Sequence, residues 1–186
     1  MLGSVEVRKL LERALSLSEA DETEVALSAS HESLTRFAHN MIHQNVAEAD
    51  ATLEVRAAYG LRVGMATTND LSPLGIERAV WQANEMAQHL PENPGWPGLP
   101  EPQPLPEGVA FDERVAELSD DPESRAQPVS DICAAARVEN LLASGAFSAG
   151  QFEYAVMNSH DLFAYAPGTE VELTLVVEQP EAGASA

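Results

Sequence analysis

Three of the five histidines fall within residues 30–46, SHESLTRFAHNMIHQNV, and two of them, His39 and His43, are four apart. On a helix, residues i and i+4 share a face, so the two imidazoles could close on one zinc ion, the geometry that H-E-x-x-H sites use. On a strand, residues four apart are separated by about 13 Å at ~3.3 Å per residue. Zinc–nitrogen bonds of about 2 Å then cannot reach both rings. His31-Glu32 does not complete the motif either, because Arg36 stands where a second ligand would be needed. Metal chemistry in this segment is therefore a question about its backbone.

Two signals in the segment disagree. Leu34, Phe37, Ala38, Met41 and Ile42 fit the i, i+3, i+4, i+7, i+8 spacing of an amphipathic helix. Composition points the other way: Ser33, Thr35, Phe37, His39, Asn40, Ile42, His43 and Asn45 are middling or poor helix formers. Flanking segments read as strands, which favours polar residues on the open face of a sheet over a metal site.

The elements around it follow from period and punctuation. Val7, Leu10, Leu11, Ala14 and Leu15 carry a first helix that Ser4 can cap and that ends near Leu17. From Glu24 the period becomes two, with Val25, Leu27 and Ala29, and later Leu53, Val55 and Ala57, alternating with polar neighbours. Tyr59-Gly60 turns into LRVGMATT, where Gly64 marks a bulge or a close backbone approach. This predicts four strand segments between the first helix and a second, which Ser72-Pro73 starts and Ile76, Val80, Ala83 and Ala87 carry to about Leu90.

Seven prolines in residues 91–106 then preclude a helix or central strand. Beyond them the acidic SDDPES precedes an alanine-rich helix over about Ser130 to Ala143, with Gly145 in its C′ position. Three strand-like segments follow, AFSAGQFEYAVMN, LFAYA and TEVELTLVVEQ, with a turn at Asn158 to Asp161. The predicted fold class is α+β: two small lobes of antiparallel sheet with flanking helices, at 1–90 and 110–186, joined by a linker at 91–109.

Composition narrows the function classes. A 186-residue chain with 45% apolar residues can bury a core. Its net charge of −20 repels phosphate backbones and anionic lipid, which argues against nucleic acid and membrane surfaces as partners. The lone Cys133 precludes an internal disulfide and reads as a buried helix residue rather than a reactive thiol. Charged residues interrupt the N-terminal MLGSVEVRKLLERALSL, leaving neither an export h-region nor a membrane span. These features are those of a cytoplasmic protein.

SHESLTRFA, the IHQN at 42–45, DATLEVRA, GLRVGMATTNDL, AVWQANEMA, the proline-rich connection, the ASG at 143–145 and AVMNSH at 155–160 together resemble the N-terminal region of the TldD/PmbA family of metalloproteases and their relatives. Asp161 departs from the glycine that members often carry after Asn-Ser-x, though Asp tolerates a left-handed backbone. The resemblance implies that residues 24–68 form a sheet, which resolves the conflict in favour of strand. It also implies that zinc is held by an H-E-x-x-x-H helix in a later C-terminal domain, so this chain is expected to have no catalytic residue, no metal ligand and no zinc of its own. The AGASA at 182–186 resembles the start of a segment through which the family's second region continues, implying a second lobe cut short there.

Two functions are compatible with this resemblance. One is the N-terminal part of a zinc-dependent peptidase acting on small or unfolded peptides, with Arg36, Asn40 and Asn45 as candidate polar contacts to an extended substrate. The other is a non-catalytic PmbA-like subunit, the assembly partner of an active protease. In either case the implied association is a homodimer or a heterodimer with a family relative. A shortened second lobe would leave Val171, Leu173 and Leu175 uncovered and the chain prone to self-association.

Overall fold

A computed structural model describes residues 1–105, 110–180 and 184–185. The fold is α+β, as its alternating periods predict. In chain order the elements are α1 (Ser4–Leu17), β1 (Glu22–Ala38), β2 (Met41–Tyr59), β3 (Arg62–Thr68), α2 (Pro73–His89), α3 (Glu113–Asp120), α4 (Pro122–Val138), β4 (Leu142–Asn158), β5 (Phe163–Gln179) and the two-residue β6 (Ala184–Ser185). One sheet has the order β3-β2-β1-β4-β5-β6.

Residues 30–46 are neither a helix nor a separate strand. They form the end of β1, a two-residue turn at His39 and Asn40, and the start of β2. Both turn residues have positive φ, 48° and 64°, the backbone sense that suits the twist of a tight hairpin. The four expected strand segments are thus three strands, because β1 and β2 each run on through what looked like a boundary. The apolar spacing that imitated a helix comes from apolar residues on two antiparallel strands.

β1 and β4 are antiparallel: Thr23 N–H donates to Ser159 Oγ (3.1 Å), while Asn40 N–H donates to Ala143 O (3.0 Å). The β2–β3 hairpin pairs Tyr59 with Arg62 and Ala57 with Gly64. A Cβ on Gly64 would overlap Ala83 O and Ala87 N of α2, so the glycine marks the close backbone approach expected there.

The chain forms two compact units that are not consecutive in sequence, as 1–90 and 110–186 would be. Unit 1 comprises Met1–Ala29, Asp50–Gly108 and Glu153–Pro167; unit 2 comprises Ser30–Ala49, Val109–Phe152 and Gly168–Ala186. The strands explain this division. At about 3.3 Å per residue a 17-residue strand is roughly twice as long as a 17-residue helix, so one helix cannot cover it.

In unit 1, Val25, Leu27, Leu53, Val55 and Ala57 pack with Val7 and Leu11 of α1 and with Ile76, Val80 and Ala83 of α2. Ser72 caps α2, accepting from Gly75 N–H at 3.2 Å, with Pro73 in the first turn, as its sequence predicts. α1 is capped differently from expectation. Its N-cap is Gly3, not Ser4, and the preceding N–H groups of Leu2 and Gly3 donate to the buried carboxylate of Glu153 (2.6 and 3.0 Å). That acid therefore sits at the positive end of the helix.

In unit 2, Phe37, Ala143 and Phe147 pack with Val129, Cys133 and Ala136 of α4. Cys133 is buried, as expected. Three expectations change. α4 spans 122–138 rather than 130–143, because Asp121 caps it through the N–H groups of Glu123 and Ser124 while Pro128 is tolerated inside it. Asn140, at φ 56°, separates it from β4, so 143–145 is strand, and a side chain on Gly145 would meet Phe37 and the backbone of Thr174. The segments LFAYA and TEVELTLVVEQ are one strand, since Pro167-Gly168 continues β5; the ring of Phe152 occupies the space a Gly168 side chain would need. α3, capped by Asp112, is not anticipated by the sequence pattern: only its last two residues fall in the acidic SDDPES, and no element is expected just before it. Val171, Leu173 and Leu175 of β5 are exposed.

Candidate functional site

The hairpin that carries the histidines belongs to unit 2. Ser33, Thr35 and Phe37 are buried, so the intervening Arg36 stands on the opposite face of β1, where it is exposed and donates to Gln44 Oε1 at a long 3.4 Å. Asn40 is 5% exposed and occupied within the fold. Its Nδ2 donates to Leu141 O (2.8 Å), its Oδ1 accepts from Ala143 N–H (2.7 Å), and its carbonyl accepts from Arg137. Asn45 Oδ1 accepts from Arg125 Nη2 at 3.0 Å. The three candidate contacts thus point to different surroundings, and Arg36 alone offers an exposed, weakly engaged group.

His39 lies in the turn, where its N–H donates to Ser144 Oγ (3.2 Å), and His43 is on exposed β2. Among the described residues, no group of three or more His, Cys, Asp or Glu side chains is arranged to hold a metal ion.

Sequence reasoning missed the densest polar cluster, at the α3–α4 junction. Arg125, 1% exposed, donates through Nη1 to the C-terminal carbonyls of α3, Leu118 O (2.5 Å) and Ser119 O (2.8 Å). There it neutralises the negative end of the helix. Burial pushes its pKa below the usual arginine value, with Asp121 and Asp120 opposing that shift. Ser33 Oγ donates to the same Ser119 carbonyl (2.8 Å), and Gln151 Nε2 donates to Asp120 Oδ1 (2.8 Å).

Ser119, His31 and Asp120 of this cluster have the residue types of a hydrolytic triad but not its geometry. In such a triad the serine and the carboxylate engage opposite nitrogens of the imidazole. Here Ser119 Oγ (3.4 Å) and Asp120 Oδ1 (3.2 Å) both approach His31 Nδ1. The serine donates to His31 O (3.1 Å) and is buried. The cluster seats α3 and α4 on β1. The signal that could have exposed it was Asp-Asp-Pro at 120–122, a helix stop followed at once by a helix start.

Residues 23–87 match the family model of the PmbA/TldA metallopeptidase domain 1. Over these residues the chain is similar to the first domain of the PmbA/TldD family. The match covers β1, β2, β3 and nearly all of α2, the elements that carried the first part of the sequence resemblance. No curated protein matches the chain. Among solved structures, TldE from Thermococcus kodakarensis is similar with a TM-score of 0.74 at 22% identity, over 92% of this chain and 39% of that one. A proposed modulator of DNA gyrase from Bacteroides thetaiotaomicron has a TM-score of 0.76 at 16% identity, over 95% of this chain and 42% of that one. A third structure, a proposed modulator of a DNA gyrase from Thermotoga maritima, gives 0.76 at 14% identity, over 92% and 39%. At these identities the likeness is one of fold. The chain spans about two-fifths of the length of these PmbA/TldD-like structures.

No helix among the described residues is long and apolar enough to cross a membrane.

Proposed function

We propose that this chain acts as the N-terminal part of a cytoplasmic TldD/PmbA-like metallopeptidase, offering sheet surface to small or unfolded peptides while the zinc centre is supplied by a later region of the same polypeptide. The observation that carries this reading is the match of residues 23–87 to a metallopeptidase first domain. Arg36 is the side chain best placed to meet an extended peptide, because it is exposed on a sheet face and its one hydrogen bond is long. Asn40 and Asn45 act behind it, holding the hairpin that presents it. Peptide is the substrate class, and the working form is a homodimer or a heterodimer with a relative.

The test has two arms. The purified chain is incubated with unstructured peptides with and without added zinc, and the reading frame is followed beyond codon 186. No hydrolysis by the chain, together with a downstream H-E-x-x-x-H helix, is the expected result. Chelator-sensitive hydrolysis by the chain itself would overturn the placement of the metal. A downstream region without that motif would select the alternative, a non-catalytic subunit that assembles with an active protease.

A further inference from the structure

The proline-rich segment has a defined place in unit 1. Residues 91–105 form neither helix nor strand, so few backbone hydrogen bonds hold them and side-chain contacts decide where they lie. Two of those contacts converge on one carboxylate. Glu22 Oε2 accepts from Trp96 Nε1 (3.1 Å) and Glu22 Oε1 accepts from Leu99 N–H (3.2 Å). Asn158 Nδ2 donates to Pro100 O (2.8 Å), and Leu99 is buried.

His160, in the β4–β5 turn, stands between two acids. Its Nε2 is 3.2 Å from Glu22 Oε1, and its Nδ1, buried and without a hydrogen-bond partner, lies 3.4 Å from Glu101 Oε1, close enough for a charge interaction. We propose that His160 is a pH-sensitive clasp for the proline-rich strap, holding its Leu99 to Glu101 end against β1 and the β4–β5 turn while the ring is charged and loosening it when the ring is neutral.

The charged groups around the ring support this. β1 contributes Glu22, the strap contributes Glu101, and the turn itself contributes Asp161, next in sequence and exposed. All three are acids. Among the described residues no other cation pairs with Glu22 or Glu101. A neutral ring leaves Glu22 with two N–H donors and Glu101, 79% exposed, with no partner, so the strap end loses its attachment while like charges remain beside it. The Arg62–Glu92 pair at the other end of the strap (3.7 Å) keeps its charges throughout the range in which histidines titrate.

Trp96 reports the strap directly. In the full chain carrying Trp81→Phe it is the sole tryptophan, and its quenching by acrylamide is expected to rise roughly two-fold between about pH 5.5 and about pH 8. Adding His160→Gln should flatten the profile at its high-pH level, and adding Glu101→Gln should at least halve the rise. Far-UV circular dichroism verifies that each variant is folded. A flat profile in the parent would overturn the clasp, as would a rise that persists in His160→Gln. If His160→Gln fails to fold, Glu101→Gln decides, because its side chain is exposed: an unreduced rise there would also overturn the proposal.

Discussion

The two units meet the same requirement, covering a long strand with helices, by different physics. Unit 1 covers its strands mainly with apolar side chains, with Leu11, Leu27, Leu53, Val55 and Ile76 all 2% exposed or less, beside the buried carboxylate of Glu153. Unit 2 has a smaller apolar cluster around Phe37, Val129 and Phe147, and supplements it with a buried arginine, two serines and a glutamine. An apolar core tolerates partial repacking after a truncation. A buried polar network does not, because each lost partner leaves a desolvated group behind.

The sharpest way to break this comparison is Arg125→Ala. It removes the donor to Leu118 O and Asn45 Oδ1 and leaves Ser119 O to Ser33 alone, and should cost about 4 kcal/mol, because several hydrogen bonds from one buried charged group are lost at once. Leu53→Ala in unit 1 should cost about 3 kcal/mol. Both tryptophans lie in unit 1, so in denaturant melts tryptophan emission follows that unit while far-UV ellipticity follows both. Arg125→Ala should shift ellipticity more than emission, and Leu53→Ala should shift emission at least as much as ellipticity. Equal shifts of both probes in both variants would mean that the units unfold as one, and the contrast would have no energetic meaning. Gly64→Ala follows at about 2 kcal/mol, since α2 must back away from β3 to admit a methyl group.

Titration sharpens the same contrast from both ends of the pH scale. In unit 1, burial first and then the hydrogen bond to Glu153 push the Tyr165 phenol from 10.0 up to about 12. A raised pKa means that the folded state holds the proton more tightly. The contribution of Tyr165 is therefore complete below pH 10 and lost as pH rises through about 12. Ultraviolet difference absorbance should place its ionisation there, and Tyr165→Phe should remove that step at a cost of about 1 kcal/mol.

In unit 2 both helices begin on carboxylates. Hydrogen bonding to Arg114 lowers Asp112 from 3.8 to about 2, and hydrogen bonding to Ser124 and Glu123 lowers Asp121. A depressed pKa has the opposite sign, so these caps contribute fully above pH 3.8 and are lost as pH falls through about 2 for Asp112. Asp121→Asn keeps a cap without the titrating charge and should reduce the acid-induced loss of ellipticity. The smallest expected change is Arg36→Ala, within about 0.5 kcal/mol in stability because the side chain is exposed. Its effect should appear instead as weaker retention of extended peptides, measured by fluorescence anisotropy. Unchanged peptide retention would remove Arg36 from the proposed surface.

What the sequence determined by itself was local. The α2 start at Ser72-Pro73, the α1 end at Leu17, the Tyr59-Gly60 turn, the approach at Gly64 and the period-two core of Val25, Leu27, Leu53 and Val55 were legible because each depends on nearby residues. So was the likeness to the PmbA/TldD first domain, whose matching residues lie in β1 to α2. Tertiary structure alone decided what depends on partners far along the chain. Glu153 binds the Gly3 N–H ahead of α1 from 150 residues away, Arg125 binds Asn45 across 80, and Asn40 ties the hairpin to Leu141 and Ala143 across about 100. Periodicity within the chain cannot report such bonds, since no spacing links the partners until the sheet has paired β1 with β4. The histidine pair shows the same limit. A helical rhythm in Leu34, Phe37, Ala38, Met41 and Ile42 was real as a pattern, yet two left-handed residues at its centre turned it into two strands. The backbone sense at His39 and Asn40, fixed by long-range bonds to Ser144 and Ala143, outweighed a periodicity that no packed helix face supported.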